Sequence, residues 1–331
     1  MLIKHIKRSL RAALCAVAAT WLCALPNLAN AQEKVTLRLD WVNSGYHAIW
    51  YYGIDKGIFK KAGIDLEVLE GRGSAVTTQT VANGSVMFGT ADSGAVMGLI
   101  AQGVPVKIVS GYLRRSPIAV IFPKKANWKS FADMAGAKIG YSPGGSGVLF
   151  RSVLKATGLE GKVQLINMEP NAKPQALLEG RVDCFESFDF LQIPLLEENG
   201  MPASSLPISM AGINVPGLSL ITNHEMIKAN PALVRKMVGL MKETIDATKA
   251  DVNGAIDSLM KRAPTLNRKV VTRVLVLSFD LLEPDWAKGK PFGWVSPEVI
   301  ESSQNIFVEL GTIKAKKPVS DYVTNDFIAA K

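Results

Sequence analysis

Cysteine and histidine are scarce in this 331-residue chain, with three of each. Cys15 and Cys23 fall within the first 31 residues, which leaves Cys184 alone in the remainder. One thiol cannot form an intrachain disulfide, so stability must come from packing. Cys184 lies between Val182-Asp183 and Phe185, a strand-like run in which it is expected as an inert core thiol rather than a nucleophile. His47 and His224 are the histidines beyond residue 31, and they share no ligand spacing with Cys184, which argues against a metal site. A Ser/His/Asp order and a Gly-x-Ser-x-Gly elbow are missing, so nothing points to acyl transfer or to catalytic residues. The chain also lacks a Walker loop and Gly-x-Gly-x-x-Gly spacing, which argues against an ATP or dinucleotide site, and no cofactor is expected. Beyond residue 31 there is no apolar run of about 18 residues that would span a membrane. No basic run exceeds two residues, so nucleic acid is not an expected partner.

The first 31 residues have the pattern of an export signal. Lys4, Lys7, Arg8 and Arg11 form a basic start, and residues 12–25 are apolar but too short to cross a bilayer. Pro26 breaks that run, and Ala29-Asn30-Ala31 matches the small-x-small pattern of a cleavage site. Cys23, preceded by Thr20-Trp21-Leu22, does not sit in a lipoprotein box, so a soluble periplasmic product is expected. The leader carries four basic and no acidic residues, so its removal near Ala31 lowers the net charge from +9 to +5. The 300 residues that remain can bury one large or two medium cores.

Val35, Leu37 and Leu39 alternate with Thr36, Arg38 and Asp40, which is strand periodicity. The pattern predicts a helix over 48–61, a strand over 64–69, a helix over 75–81 that Ser74 can cap, and a strand over 86–88. A helix over 95–102, capped by Asp92 or Ser93, and a strand over 106–110 complete a first α/β unit. A second unit follows. Its strands are predicted at 117–122, 138–141, 163–167 and 182–185, and its helices at 128–134, 148–157, 174–179 and 190–198. Segments 207–210 and 218–222 read as extended, and helices are predicted over 231–250, 252–262, 268–282 and 297–310. Alternation of this kind implies mostly parallel sheets flanked by helices. Segments near 112–120 and 212–220 can be read as two strands that link the same pair of lobes.

In open parallel sheets, ligands sit beyond the carboxyl ends of the strands. Asp40, Trp41, Asn43, Tyr46 and His47 follow the first strand, and Gly71-Arg72-Gly73-Ser74 the second. Thr90, Asp92 and Ser93 follow the third, while Glu186, Ser187, Phe188 and Asp189 follow a strand of the second unit. Aromatic faces, carboxylates and hydroxyls together suit a planar, polar small molecule. The loop Gly144-Gly145-Ser146-Gly147 leads into a helix and reads either as an anion cradle or as a plain tight turn. Trp41 reads either as a stacking wall or as a core residue. His47 reads either as a ligand contact or as a cap. A carboxylate such as Asp40 at a buried strand end needs a partner in either case.

Several motifs occur in order along the chain. They are Leu39-Asp40-Trp41-Val42-Asn43 with His47; Gly57-Ile58-Phe59-Lys60-Lys61-Ala62-Gly63-Ile64-Asp65-Leu66; Val81-Ala82-Asn83-Gly84; and Phe88-Gly89-Thr90-Ala91-Asp92. Farther on come Ser130-Phe131-Ala132-Asp133-Met134-Ala135-Gly136-Ala137-Lys138-Ile139-Gly140, Ala176-Leu177-Leu178-Glu179-Gly180-Arg181-Val182-Asp183 and Asn230-Pro231-Ala232-Leu233-Val234. Over residues 34–310 this set resembles the periplasmic solute-binding proteins of ABC importers, in the branch that binds thiamine pyrimidine precursors, riboflavin and alkanesulfonates.

The resemblance implies an α/β, two-lobed type II periplasmic binding fold with two connecting strands. Lobe 1 would span 32–115 and return as 215–331, and lobe 2 would span 116–214. It implies capture of a small planar aromatic or heterocyclic ligand, similar to a thiamine pyrimidine precursor, by a monomer that docks on an ABC permease and performs no chemistry. The implied ligand set is Asp40, Trp41, Asn43, His47, Arg72, Ser74, Asp92, Ser93, Gly145, Ser146, Glu186 and Asp189. Phe188-Asp189-Phe190 stands where such relatives tend to carry a tryptophan- or tyrosine-rich segment. That departure leaves room for riboflavin, aromatic carboxylates or alkanesulfonates, with Arg72, Arg114 or Arg115 as partners for an acid group. The same family includes enzymes that build the thiamine pyrimidine and carry a cysteine cluster, which this chain lacks. A secreted hydrolase or a sensor subunit would be readings from other classes.

Overall fold

The computed structural model describes residues 32–142, 146–309 and 311–329, so the leader lies outside the described residues. Lys34–Lys331 forms one compact unit. Within it are two five-stranded sheets. The first is built from β1 (Glu33–Arg38), β2 (Ile64–Leu69), β3 (Phe88–Asp92), β4 (Val106–Gly111) and β10 (Leu218–Asn223), in the order β2-β1-β3-β10-β4. The second holds β5 (Ile118–Pro123), β6 (Lys138–Tyr141), β7 (Gln164–Asn167), β8 (Cys184–Phe188) and β9 (Ala203–Pro207), in the order β7-β6-β8-β5-β9.

Each sheet is mixed, and for the same reason. The strand that enters a sheet directly after a crossing between the two runs against its neighbours. β10 is antiparallel to β3 and β4, and β5 is antiparallel to β8 and β9. β1 with β3, and β6 with β7 and β8, remain parallel. The first crossing occupies residues 112–117, between β4 and β5. The second runs from a 3-10 turn at Ile208–Ala211 to Gly217, before β10.

The helices are α1 (Ala48–Asp55), α2 (Ile58–Lys61), α3 (Ser74–Ala82), α4 (Ser93–Ala101), α5 (Ser146–Ala156), α6 (Lys173–Leu178), α7 (Asp189–Glu198), α8 (His224–Ala229), α9 (Pro231–Ala250), α10 (Val252–Arg262), α11 (Arg268–Ser278), α12 (Pro297–Glu309) and α13 (Val319–Tyr322). The helix expected over 48–61 is two helices broken at Lys56-Gly57, and that expected over 128–134 is a 3-10 turn at Phe131–Met134. Ser74 is the first residue of α3 rather than its cap, which is Gly73.

Side-chain alternation explains the core. Val35, Leu37 and Leu39 are buried while Thr36 and Arg38 are less so, and α1, α9, α10 and α11 cover that face. A second cluster runs from Val96 and Met97 of α4 through Leu149 and Phe150 of α5 to Phe307 of α12, so apolar contact joins the two sheets' layers. Cys184 is fully buried within this cluster, and burial pushes its thiol up, which keeps it protonated.

Candidate functional site

Residues that follow the carboxyl ends of the strands in both sheets meet in one region. Tyr46, after β1, packs edge-on against Phe190 of α7 at 5.4 Å between ring centroids. Gly94, at the start of α4, approaches α5 so closely that a Cβ there would lie 2.8 Å from Leu149 Cδ1.

Beside the first sheet, Asp40 is only 3% exposed and both its carboxylate oxygens accept hydrogen bonds from within the protein. Tyr46 donates its hydroxyl hydrogen to Asp40 Oδ2 at 2.8 Å, and Thr90 Oγ1 donates to Oδ1 at 3.0 Å. The Asp40 backbone N–H in turn donates to Thr90 Oγ1 at 3.1 Å. His47 completes the set. Its Nδ1 accepts the Ser44 N–H at 3.2 Å, so the ring proton belongs on Nε2, which donates to Asp40 Oδ1 at 3.2 Å. Burial, then the Asp40 charge, pushes the Tyr46 phenol well up, so it stays a donor. Both His47 nitrogens are thus engaged away from any hydroxyl, and the ring is not placed to activate a serine.

Asp92 differs. It lies within β3 rather than after it, and its Oδ1 accepts the Ala95 N–H at 3.0 Å, which caps α4. Its Oδ2 is buried with no hydrogen-bond partner. Burial pushes the carboxyl up to about 7, and the charge of Asp40 adds to the shift. Ser74 does not face away from this group: its Oγ accepts the Asp92 N–H at 2.9 Å. Ser93 Oγ donates to the Gly217 carbonyl at 2.6 Å and lies 2.7 Å from Ser219 Oγ, so it serves the second crossing.

On the second sheet, Glu186 is fully buried in the middle of β8, a strand that extends to Phe188 rather than ending before Glu186. Its Oε1 accepts the Ser142 N–H at 3.0 Å, and its Oε2 accepts from Ser146 Oγ and from Lys173 Nζ, each at 2.8 Å. Lys173 Nζ also donates to the Glu186 carbonyl at 2.9 Å. Burial pushes Glu186 up and Lys173 down, and their contact opposes both shifts. The sequence reading missed Lys173. Nothing in Asn171-Ala172-Lys173-Pro174 distinguishes it from a surface lysine, because its partner is a tertiary contact. Asp189 accepts from Phe190 N–H at 2.7 Å and from Ser205 Oγ at 3.1 Å, and burial pushes it up.

The remaining expected residues scatter. Trp41 is half-buried, with its ring edge near Gly73. Asn43 Oδ1 accepts from Tyr51 at 2.5 Å, and its N–H donates to Glu70 at 3.0 Å. Arg72 and Arg115 are exposed. Arg114 is buried in the first crossing, where Nε donates to the Leu282 carbonyl at 2.6 Å and Nη1 to the Pro291 carbonyl at 3.4 Å. Gly145 lies outside the described residues. An open concavity of about 530 Å³, lined by Trp128, Lys125, Asp133, Leu178 and Met201, lies at the opposite end of the second sheet from Ser146 and Glu186. Among the described residues, no group of three or more His, Cys, Asp and Glu side chains could hold a metal ion, and no helix is long and apolar enough to cross a membrane.

Comparison with known proteins places this geometry in context. The chain is similar to a Haemophilus influenzae protein named for thiamine biosynthesis, at 30% identity over 177 residues. That match covers 52% of this chain and 56% of the relative, little more than half its length. It is also similar to the Saccharomyces cerevisiae 4-amino-5-hydroxymethyl-2-methylpyrimidine phosphate synthase THI12, at 25% identity across 71% of this chain and 73% of that one. Among solved structures, the periplasmic aliphatic sulphonate binding protein SsuA from Escherichia coli superposes with a TM-score of 0.68 at 16% identity, covering 88% of this chain and 92% of the other. At that identity the likeness carries the fold, the α/β two-lobed arrangement of periplasmic binding proteins. A family model described as NMT1/THI5 like matches residues 44–255, and the chain belongs to that family.

Proposed function

We propose that this protein is the periplasmic substrate-binding component of an ABC importer. It captures a small planar aromatic or heterocyclic molecule, similar to a thiamine pyrimidine precursor, by closing two lobes on it. In this reading the lobes are 32–115 with 215–331, and 116–214. The leader 1–31 directs export, and the exported monomer delivers its cargo to a membrane permease. The observation that carries the reading is the meeting of strand-end residues from both sheets, Tyr46 with Phe190 and Gly94 with Leu149, around buried acids. Closure of two packed layers about paired crossings is a common way to trap a ligand. Trp41 and the Phe188–Phe190 pair, whose centroids are 6.1 Å apart, supply aromatic surface for stacking.

The relatives named as pyrimidine phosphate synthases raise an enzymatic alternative. With both His47 nitrogens engaged by Ser44 and Asp40, binding is favoured over chemistry.

A thermal-shift panel of aminopyrimidines, flavins, aromatic carboxylates and alkanesulfonates tests the reading, with X-ray scattering on each hit. A ligand should raise the melting temperature with its saturation and shrink the envelope. An unchanged envelope at saturation, or turnover of the hit, would overturn it.

A further inference from the structure

We infer that Asn83-Gly84 is a site of spontaneous covalent modification, where the folded chain converts its own asparagine to a mixture of aspartate and isoaspartate. The inference is independent of what the protein binds.

The chain contains three Asn-Gly pairs, Asn83-Gly84, Asn199-Gly200 and Asn253-Gly254. Glycine has no Cβ to shield its nitrogen from the side-chain amide before it. The reaction is a ring closure followed by hydrolysis. Gly84 N bonds to Asn83 Cγ, the Cγ–Nδ2 bond breaks, and the glycine proton leaves with Nδ2 as ammonia. Water then adds to one of the two ring carbonyls. Opening on one side gives aspartate, and on the other isoaspartate, which carries one more methylene in the main chain. Water is the only co-reactant.

All three asparagines are exposed, so access to water does not separate them. Local geometry does. Asn83 caps the C-terminus of α3, and its Oδ1 accepts the Ser85 N–H at 3.0 Å. That bond folds the side chain forward over Gly84 and sets a donor on the oxygen that gains charge when Cγ is attacked. The Gly84 N–H must leave the Val81 carbonyl, its acceptor at 3.1 Å. That carbonyl is not stranded, because Asn223 Nδ2 also donates to it at 2.9 Å. Asn83 lies past the last helical residue, so its rotation unwinds no turn of α3.

Asn199 caps the C-terminus of α7, but its Nδ2 donates to the Leu195 carbonyl at 2.8 Å. This turns the amide back along the helix, away from Gly200 N. Asn253 is the second residue of α10, and the Gly254 N–H is held at 2.9 Å by Oδ1 of Asp251, the helix cap. Ring closure there must first undo the cap and the first turn. Asn83 also has the most consequential place. It joins α3, which opens at Ser74, to β3, which closes at Asp92. An extra methylene, and a negative charge at the negative end of a helix, would fall between them.

The test ages the native protein and the same protein in urea, both in mildly alkaline buffer. Peptides are mapped by mass spectrometry with fragmentation that separates isoaspartate from aspartate. In urea the three pairs should react at comparable rates, since only local sequence acts. In the native protein Asn83 should react at least about tenfold faster than Asn199, and Asn253 slowest, with isoaspartate among the products at position 83. Ser85→Pro removes the donor and should slow the reaction at Asn83 by about tenfold. The wild-type ranking, native against urea, decides the matter should that variant not fold. Asn199 or Asn253 reacting as fast as Asn83 in the native protein, aspartate as the sole product, or an unchanged rate in folded Ser85→Pro would each overturn the inference.

Discussion

Asp40, just past β1, and Asp92, the last residue of the neighbouring β3, have opposite environments because of what donates to them. Asp92 has a carboxyl raised from 3.8 to about 7. A raised acid contributes stability that is fully present below about pH 4 and is lost as pH rises through about 7. Unfolding free energies of the wild type, from urea denaturation, should fall across that window relative to Asp92→Asn, by up to roughly 4 kcal/mol at about 1.4 kcal/mol per unit. Equal slopes would show that the carboxyl is solvated. The buried Lys173–Glu186 pair, at 2.8 Å, makes a sharper prediction. Lys173→Met strands a buried carboxylate and should cost about 3–5 kcal/mol, while the double variant Lys173→Met with Glu186→Gln should cost less than the sum of its parts. Chemical denaturation of the four proteins decides it. Acids at strand ends were legible because alternation in 35–40 locates where a strand stops. Lys173 was not, because its role exists only once distant strands lie side by side.

Among elements, the long helices could be read almost to the residue. Pro231–Ala250 and Val252–Arg262 have clear starters in Asn230 and Asp251, whose side chains accept from Leu233 and Gly254 N–H groups. Strands were harder. β3 and β8 each run several residues past their apolar stretch, taking in Thr90, Asp92 and Glu186, because pairing with β10 and β5 continues beyond the hydrophobic pattern. The crossings were read as strands, and instead touch through one glycine. A Cβ at Gly217 would collide with the carbonyl oxygens of Leu113 and Arg115, backbone atoms that cannot give way. Gly217→Ala should force the two crossings apart. Its expected cost is about 1–3 kcal/mol, and its signature is an altered interlobe distance by paired fluorescent labels. A normal distance and melting temperature would show that the close approach is incidental.

At the scale of the molecule, two kinds of contact hold α7 against the layer of the first sheet: ion pairs to α11 and an apolar contact to the turn after β1. One is ionic: Glu198 with Lys269 at 2.7 Å and Glu197 with Arg273, all at least partly exposed. Such pairs contribute about 0–1 kcal/mol each and weaken with salt. The other is apolar. Phe190 is buried against Tyr46, and full burial of such a side chain contributes about 1.5–3 kcal/mol. Phe190→Ala should therefore widen the interlobe distance more than the double change Glu197→Gln with Glu198→Gln, and raised salt should have little effect. The reverse ranking in labelled protein would show an electrostatic latch instead.

The places of β10 and β5 set a timetable for the growing polypeptide. β10 lies between β3 and β4, so the sheet begun at Glu33 keeps an open slot until residues 218–223 arrive. Contacts of such long sequence separation form late. A chain synthesised from its first residue thus stays unfinished until two-thirds of it has emerged, and remains threadable for that long.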